Sequence, residues 1–272
     1  MFAPDSLGDG AEGPPTLNLR GPLAVLHLNR PRQRNRLDDG DLSAIVAAMQ
    51  ELTDLVRADA GLGGGPRVLV IASSGPVFSA GYHLEGLAAS PAGGPQRFEA
   101  MVRAVLQQPL PSVCRLQGGV YGGATDLALA CDFRIGSPGV QLRMPAARIG
   151  LHYSPAGLAR FAARLGMATA RRLFLTAPTL QADELLRIGY LDECVADAEA
   201  ATLDAAVVRW CEALAAGAPL AVQGMRRSLD ELAGPWAGTG ALEREARCAA
   251  SEDLQEGLAA LRERRPPRFI GR

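Results

Sequence analysis

Two glycine-containing turns are the segments of this chain best suited to chemistry. The first is VFSAGYHL at 77–84 and the second is QGGVYGGATD at 117–126, and each lies between an apolar strand-like run and a helical one. Small residues let a ligand approach the backbone there, and the backbone N–H groups can stabilise negative charge that develops on a carbonyl oxygen. Such turns are also common structural connectors, and for either turn alone the structural interpretation is the simpler one.

Asp126 is the candidate acid or base at the end of the second turn, where a helix is predicted to begin. An aspartate in a first helical turn is stabilised by the free N–H groups there, and from the residues alone this structural interpretation is the stronger one. A carboxylate enclosed in apolar surroundings holds a proton more readily, which would suit it to acid/base catalysis. Both interpretations stay open at this point.

Composition excludes several classes of function. All 28 basic residues are arginine, which rules out lysine nucleophiles and Schiff bases. A net charge of -1 provides no general attraction to nucleic acid or to an anionic membrane. No run approaches the ~20 apolar residues that cross a bilayer, and the first residues do not resemble a signal peptide, so we expect a cytoplasmic protein.

The histidines and cysteines predict no metal site. His27, His83 and His152 lack spacings such as HxxxH, and the five cysteines lack CxxC spacing. We expect His27 to pack within a strand. The cysteines are predicted to be reduced packing residues.

The apolar pattern predicts one mixed α/β core. The chain has 272 residues, 48% of them hydrophobic, which suits a single large core. Strand-like and helical runs alternate, as expected for strand–helix–strand crossovers. The predicted strands are 16–20, 23–29, 67–72, 112–117 and 133–135, and the predicted helices among them are 41–57, 96–107 and 122–130.

From residue 155 onward the periodicity is almost entirely helical. The predicted helices are 158–165, 168–175, 182–186, 202–215 and 241–262. We therefore expect a flexible N-terminus (1–15), an α/β core (16–200) and a C-terminal helical subdomain (201–272).

Taken together, the two turns resemble the two signatures of the enoyl-CoA hydratase/isomerase (crotonase) superfamily. In that family a Phe-Ser-Ala-Gly turn precedes a segment of the form Asn-Gly…Gly-Gly-Gly-x-Glu-Leu-Ala-x-x-Cys-Asp. The corresponding segments here are FSAG at 78–81 and QGGVYGGATDLALACD at 117–132. The resemblance extends over nearly the whole chain, through LNRP at 28–31, RIGYLDE at 187–193 and RRPPRFIGR at 264–272.

The resemblance implies a fold, a substrate and an assembly. The fold is a spiral of repeated ββα units that forms two roughly perpendicular sheets, followed by a C-terminal helical part. The substrate is an acyl-CoA thioester, so coenzyme A enters as part of the substrate and no tightly bound cofactor is expected. The assembly is a homotrimer or hexamer.

The resemblance also assigns roles to residues near the acyl group. The peptide N–H groups of Ala80 and Gly123 would form an oxyanion hole. The first of two family glutamates corresponds to Asp126, the predicted acid/base, and the second to Ala146, which cannot transfer a proton. His152 and Tyr153 could replace the lost group or could form a packed aromatic pair.

Basic residues near the first loop would meet the CoA phosphates. Arg32, Arg34 and Arg36 are the candidates, although such a run is also typical of a solvated face. His83 could line the pocket mouth, contact CoA or cap a helix.

Two functions follow from these assignments. The leading one is a hydratase or isomerase, in which a thioester enolate is held by Ala80 and Gly123 while Asp126 transfers the proton. The alternative is a non-catalytic acyl-CoA-binding protein that lost turnover with the carboxylate at position 146.

Overall fold

A computed structural model describes residues 12–59, 64–83, 93–233, 247 and 251–272 of the chain. Ten strands lie within these ranges: β1 Gly13–Arg20, β2 Leu23–Asn29, β3 Val68–Ser73, β4 Val77–Ser79, β5 Ser112–Leu116, β6 Gly119–Tyr121, β7 Phe133–Gly136, β8 Gln141–Arg143, β9 Leu180–Gln181 and β10 Glu193–Cys194. The nine α-helices of the same ranges are α1 Asp39–Ala58, α2 Gly93–Gln107, α3 Gly123–Leu129, α4 Pro155–Leu165, α5 Met167–Thr176, α6 Ala182–Arg187, α7 Ala200–Ala215, α8 Pro219–Ala233 and α9 Glu252–Glu263.

The strands form two sheets that are built by repeated ββα units. A six-stranded sheet has the order β1-β2-β3-β5-β7-β10, and a four-stranded sheet has the order β4-β6-β8-β9. Three successive pairs of strands each place one strand in either sheet before the chain enters a helix. These pairs are β3–β4, β5–β6 and β7–β8. The predicted mixed α/β fold of repeated ββα units is therefore present.

Buried residues on both faces explain why the larger sheet is mostly parallel. In β3, Leu69 and Ile71 pack with the helices on one face, while Val68 and Val70 pack on the other. A continuous β-branched and apolar run is typical of a parallel strand that is covered on both sides. This confirms the strand predicted at 67–72.

The N-terminal strand begins earlier than predicted. Residues 1–11 of the predicted flexible segment lie outside the described residues, but β1 starts at Gly13 rather than Thr16, with an irregularity in its pairing between those residues. Because β1 is an edge strand, Pro14 and Pro15 can enter it without interrupting a ladder on both sides.

The first C-terminal helix belongs to the core. Leu203, Val207 and Cys211 of α7 are buried against the second face of the larger sheet. The predicted boundary at residue 200 therefore does not separate α7 from the sheet. Helix α8 was not predicted, and only the last part of the helix predicted at 241–262 is described, as α9.

No single helix among the described residues is both long and apolar enough to cross a membrane. Helices α7 and α8 meet the length and composition requirement only as a pair, and they are bent by 104° relative to each other.

Candidate active site

The two glycine turns lie against each other, as the combined motif predicts. Strand β4 of the first turn pairs in parallel with β6 of the second. Gly81 lies close against the second turn, because a Cβ added there would lie 2.5 Å from the Tyr121 carbonyl oxygen and 3.0 Å from the Gly123 nitrogen. Gly81 also has a φ of +85°, which favours glycine.

The N–H of Ala80 is already engaged in a hydrogen bond, which corrects its predicted role. It donates to the carbonyl of Arg34 at 2.8 Å. In the same turn the Gly81 N–H donates to the Ser79 hydroxyl at 3.1 Å, and the His83 N–H donates to the Leu37 carbonyl at 2.9 Å. None of these three amides can serve a ligand without first losing its partner.

Between residues 80 and 83, the N–H of Tyr82 is the one that these hydrogen bonds do not use. Tyr82 and Leu37 form a parallel bridge in which the flanking Gly81 carbonyl and His83 N–H point toward Leu37. Because successive peptide groups of an extended chain point to opposite sides, the Tyr82 N–H points away from Leu37. No acceptor for the Tyr82 N–H is found within the ranges that the structure describes.

Gly123 provides the second available N–H. It is the first residue of α3, and the first N–H groups of a helix have no partner within that helix. No acceptor for this N–H is present in the described part of the chain. The missing side chain matters as well, since a Cβ at Gly123 would lie 2.6 Å from the ring of Phe98.

A cavity of about 170 Å³ opens beside these two amides. Its wall is largely apolar and contains no carboxylate among the described lining residues, which are Ala80, Tyr82, Pro95, Phe98, Tyr121, Gly122, Gly123, Met144, Pro145, Ala146, Ile149, Leu151, His152, Tyr153 and Ser154. Ala146 is buried in the wall. The cavity thus joins both glycine turns to the segment that begins at Ala146.

Asp126 lies behind the cavity wall in an ion pair, not in the apolar surroundings that were expected. Its side chain is 0% exposed. Nε and Nη2 of Arg160 donate to its two carboxylate oxygens at 2.8 Å each. The Tyr153 hydroxyl donates to Oδ2 at 3.0 Å, so Tyr153 is the only cavity-lining residue seen to bond this carboxylate in the described chain.

Glu99 of α2 completes this buried cluster. It receives hydrogen bonds from Arg160 at 3.2 Å and from the Ser154 hydroxyl at 2.9 Å. The Ser154 hydroxyl in turn caps α4 by accepting the Gly157 N–H at 3.0 Å. Arg160 and Glu99 could not be predicted from the sequence, since neither belongs to a motif and both join the Asp126 cluster only through the packing of α2, α3 and α4.

Tyr153 packs against an aromatic residue and also contacts the predicted acid/base. Its ring packs against Phe174 with centroids 5.1 Å apart, while its hydroxyl reaches Asp126. Burial, followed by the charge and hydrogen bond of Asp126, holds the pKa of Tyr153 well above its ordinary value. Tyr153 is therefore a phenol at neutral pH. His152 is exposed and also lines the cavity.

The predicted phosphate-binding arginines flank the first turn. The backbone from Arg34 to Leu37 runs beside residues 80–83 through the hydrogen bonds given above. The Arg32 side chain is 89% exposed near Glu12, and Arg36 has a buried Nε with no partner among the described residues. His83 is half-buried and is not among the lining residues of the cavity.

Two further sequence predictions concern metal ligands and cysteines. Within the described ranges no three His, Cys, Asp or Glu residues are grouped as metal ligands. Cys114, Cys131 and Cys211 are buried free thiols, Cys194 is half-buried, and Cys248 lies outside the described residues.

Comparison with known proteins identifies the family of this chain. The sequence model described as enoyl-CoA hydratase/isomerase matches residues 19–272. The chain is 30% identical over 254 residues to the probable enoyl-CoA hydratase echA6 of Mycobacterium leprae, covering 92% of this chain and 96% of the relative. It is 27% identical over 263 residues to the crotonyl-CoA hydratase of Syntrophomonas wolfei, covering 92% and 95%.

A solved structure confirms the fold. The enoyl-CoA hydratase/carnithine racemase from Magnetospirillum magneticum superimposes with a TM-score of 0.86, over 96% of this chain and 97% of that one, at 23% identity. Because the family match spans both glycine turns and nearly the whole fold, the chain belongs to the enoyl-CoA hydratase/isomerase family of the crotonase superfamily.

Proposed function

We propose that this protein binds an acyl-CoA thioester and holds its carbonyl oxygen between the N–H groups of Tyr82 and Gly123. The observation that carries the proposal is that these two residues line one apolar cavity and that neither amide has a partner in the described structure. Fixed donors of this kind favour the enolate over the ground-state carbonyl. Relative to the sequence prediction, Tyr82 takes the role first given to Ala80.

Efficient hydration is not supported by the groups around the cavity. Addition of water to an enoyl thioester needs a base for the water and an acid for the α carbon. Position 146 is alanine, and Asp126 is bound by Arg160 behind the wall. We therefore propose that hydratase turnover is slow or absent, so that the main function is thioester binding with a polarised carbonyl.

A second candidate is enolisation or double-bond isomerisation, which the bond between Tyr153 and Asp126 favours. In this proposal Asp126 acts as the base through Tyr153. The Tyr153 oxygen takes the α proton as its own proton passes to Oδ2 of Asp126, 3.0 Å away. Reversal of these transfers at the α or γ carbon would complete exchange or isomerisation.

We further propose contacts for CoA and for a second copy of the chain. Arg34 and Arg36 flank the first turn, where a CoA phosphate would meet them, with the exposed Arg32 beside them. Met225, Leu229 and Leu232 are exposed apolar residues of α8, which supports the expected trimer or hexamer. Sedimentation of the purified chain would measure this assembly.

The binding proposal is tested by comparing an acyl-CoA thioester with the S-alkyl-CoA thioether that lacks its carbonyl. Calorimetry should give a preference for the thioester of about 0.5–1.5 kcal/mol for each N–H bond. Equal affinities would contradict carbonyl recognition. Failure of acetyl-, butyryl- and longer acyl-CoA esters all to bind the folded protein would overturn the proposed function.

The two catalytic possibilities are separated by mass spectrometry of enoyl- and acyl-CoA thioesters in D2O. Enolisation predicts deuterium at the α carbon that is lost in both Asp126→Asn and Tyr153→Phe while thioester binding persists. Hydration predicts addition of water, and Ala146→Glu should raise it if the cavity accepts the longer side chain. If neither reaction occurs in any variant, the binding function stands alone.

A further inference from the structure

A buried arginine joins two carboxylates immediately behind the cavity. The Arg160 side chain is 11% exposed, and those of Asp126 and Glu99 are 0% and 15% exposed. The Arg160 guanidinium donates two parallel hydrogen bonds of 2.8 Å to Asp126, whereas its hydrogen bonds to Glu99 are 3.2 and 3.5 Å long. This geometry makes Asp126 the principal partner of Arg160.

The hydrogen-bond directions at Asp126 are those of an anion. A guanidinium has only donors, so both carboxylate oxygens must accept from it. Oδ2 also accepts from the Tyr153 hydroxyl. Burial disfavours the charged form of Arg160, but its bonds and charge interactions with Asp126 and Glu99 outweigh this and raise the Arg160 pKa. The arginine therefore stays charged beside Asp126.

We propose that Arg160 is a positioning residue that keeps Asp126 a proton acceptor directed at the Tyr153 hydroxyl. Without this partner, a fully buried carboxylate is favoured in its protonated form. Asp126 would then donate to Tyr153 or its surroundings instead of accepting, and the proton path from the cavity would be blocked at its end. The inference deepens the proposed function, since it assigns the starting state of the Tyr153–Asp126 pair.

The groups that face Asp126 come from several elements. Arg160 lies on α4, Tyr153 precedes that helix, and Glu99 on α2 reaches Asp126 through Arg160. Tyr190 lies near the same helix, where its hydroxyl donates to the Thr125 carbonyl at 2.9 Å, and its pKa is raised chiefly by burial. Arg160 is the only cation among these described neighbours.

The test reads the protonation of Asp126 without substrate. The infrared spectrum of the wild-type protein is compared with that of Asp126→Asn, and the spectrum of Arg160→Gln with that of the double variant Arg160→Gln/Asp126→Asn. Each difference isolates the signal of the Asp126 carboxyl group. The wild type should lack a protonated-carboxyl band at neutral pH, and Arg160→Gln should gain one. Arg160→Lys, which keeps the charge but loses the paired bonds, should lie between them.

Arg172→Gln is the matched control. Arg172 pairs with Glu184 on the surface, at 2.6 Å, and no hydrogen bond or ion pair joins it to this cluster among the described residues. Its removal should leave the Asp126 spectrum unchanged. Where exchange of the α proton is measurable, Arg160→Gln should also add an acidic limb to its pH profile with little change in KM.

A protonated Asp126 in the wild type at neutral pH would overturn the inference, and this outcome does not depend on any variant's folding. An unchanged Asp126 spectrum in folded Arg160→Gln would overturn it equally. Loss of thioester binding in the wild type would instead refute the proposed function while leaving the role of Arg160 to be judged from the spectra.

Discussion

At the residue scale, the carbonyl recognition proposed above depends on two peptide groups and not on their side chains. The Tyr82 side chain is directed elsewhere, since its hydroxyl donates to Asp39 at 2.6 Å. Gly123 has no side chain, and Phe98 occupies the space beside it. A substitution that removes an N–H must therefore be distinguished from one that only adds atoms.

Gly123→Pro in a Phe98→Ala background should lose one of the two proposed hydrogen bonds to the thioester carbonyl. Proline is tolerated at the first position of a helix, and the smaller residue at 98 makes room for its ring. The preference for a thioester over a thioether should fall by about 0.5–1.5 kcal/mol, and any enolisation rate by ~10²–10³-fold. Gly123→Ala in the same background adds a Cβ but keeps the N–H, and it should retain both. Equal losses in the two variants would show that space, not the amide, matters.

The sequence singled out the two glycine turns but could not assign every donor and partner. The motif correctly brought the two glycine turns together, and the alanine at position 146 was visible directly. The choice of Ala80 over Tyr82 required knowing that Arg34 accepts the Ala80 N–H at 2.8 Å. Arg160 lies 34 residues from Asp126, so no local periodicity could have paired them.

At the element scale, the site depends on how closely two short strands and their turns approach. Asn35 supports the first turn, because its side-chain amide donates to the carbonyls of Ser74 at 2.7 Å and Val77 at 2.9 Å. The Ser79 hydroxyl donates to the Asn35 carbonyl at 2.6 Å and accepts the Gly81 N–H. Ser79→Ala therefore removes a buried support of the turn.

Gly81→Ala should separate the two turns. The change adds strain of ~1–2 kcal/mol for a positive φ, and its Cβ would also lie 2.5 Å from the Tyr121 carbonyl oxygen. We expect a larger loss of unfolding free energy than in Gly189→Ala, together with weaker thioester binding. Gly189 has a φ of +73° and open space around it, so it isolates the backbone strain. Denaturant titration and calorimetry of the two variants measure the difference, and equal effects would contradict the close approach.

The long elements followed from periodicity, whereas the short ones did not. Strands at 23–29 and 67–72 and the helix at 41–57 matched the structure closely, since each buries a long regular stripe. Strands β4, β6 and β8 have three residues each, which is too short for alternation to be read. Helix α8 exposes several apolar residues, so its pattern does not separate a buried face from a solvated one.

At the scale of the whole molecule, one arginine fastens α8 to the core. Arg226 donates through Nε to both carboxylate oxygens of Asp132 at 3.0 and 2.8 Å. Its other nitrogens donate to the carbonyls of Gln108 at 2.7 Å and Leu106 at 2.9 Å. Asp132 also accepts two bonds from Ser112, so it joins the corner after α3 to β5. Asp132 therefore has a structural role at this corner.

Arg226→Met should destabilise the protein far more than Arg227→Met. The Arg226 side chain is 8% exposed, and removing it leaves Asp132, whose side chain is 14% exposed, without its paired cation, a change that costs ~3–5 kcal/mol. The Arg227 side chain is 49% exposed and pairs with Glu231 on one helix face, a pair worth ~0–1 kcal/mol. Denaturant unfolding of the two variants gives the comparison, and similar losses would refute the anchoring role.

The stability of the whole chain should fall in mild acid, in part because of His27. Burial, followed by the charges of Arg115 and Arg20, lowers the pKa of His27 below its ordinary value of 6.5. The unfolded chain therefore binds more protons near and below pH 6.5 than the folded chain does. The stability that neutral His27 contributes is present above pH 6.5 and is lost as the pH falls toward the pKa of His27 in the folded protein. His27→Gln should reduce the pH dependence of stability between about pH 7 and 5, measured by denaturant titration at several pH values. A wild-type slope in His27→Gln would contradict this contribution of His27.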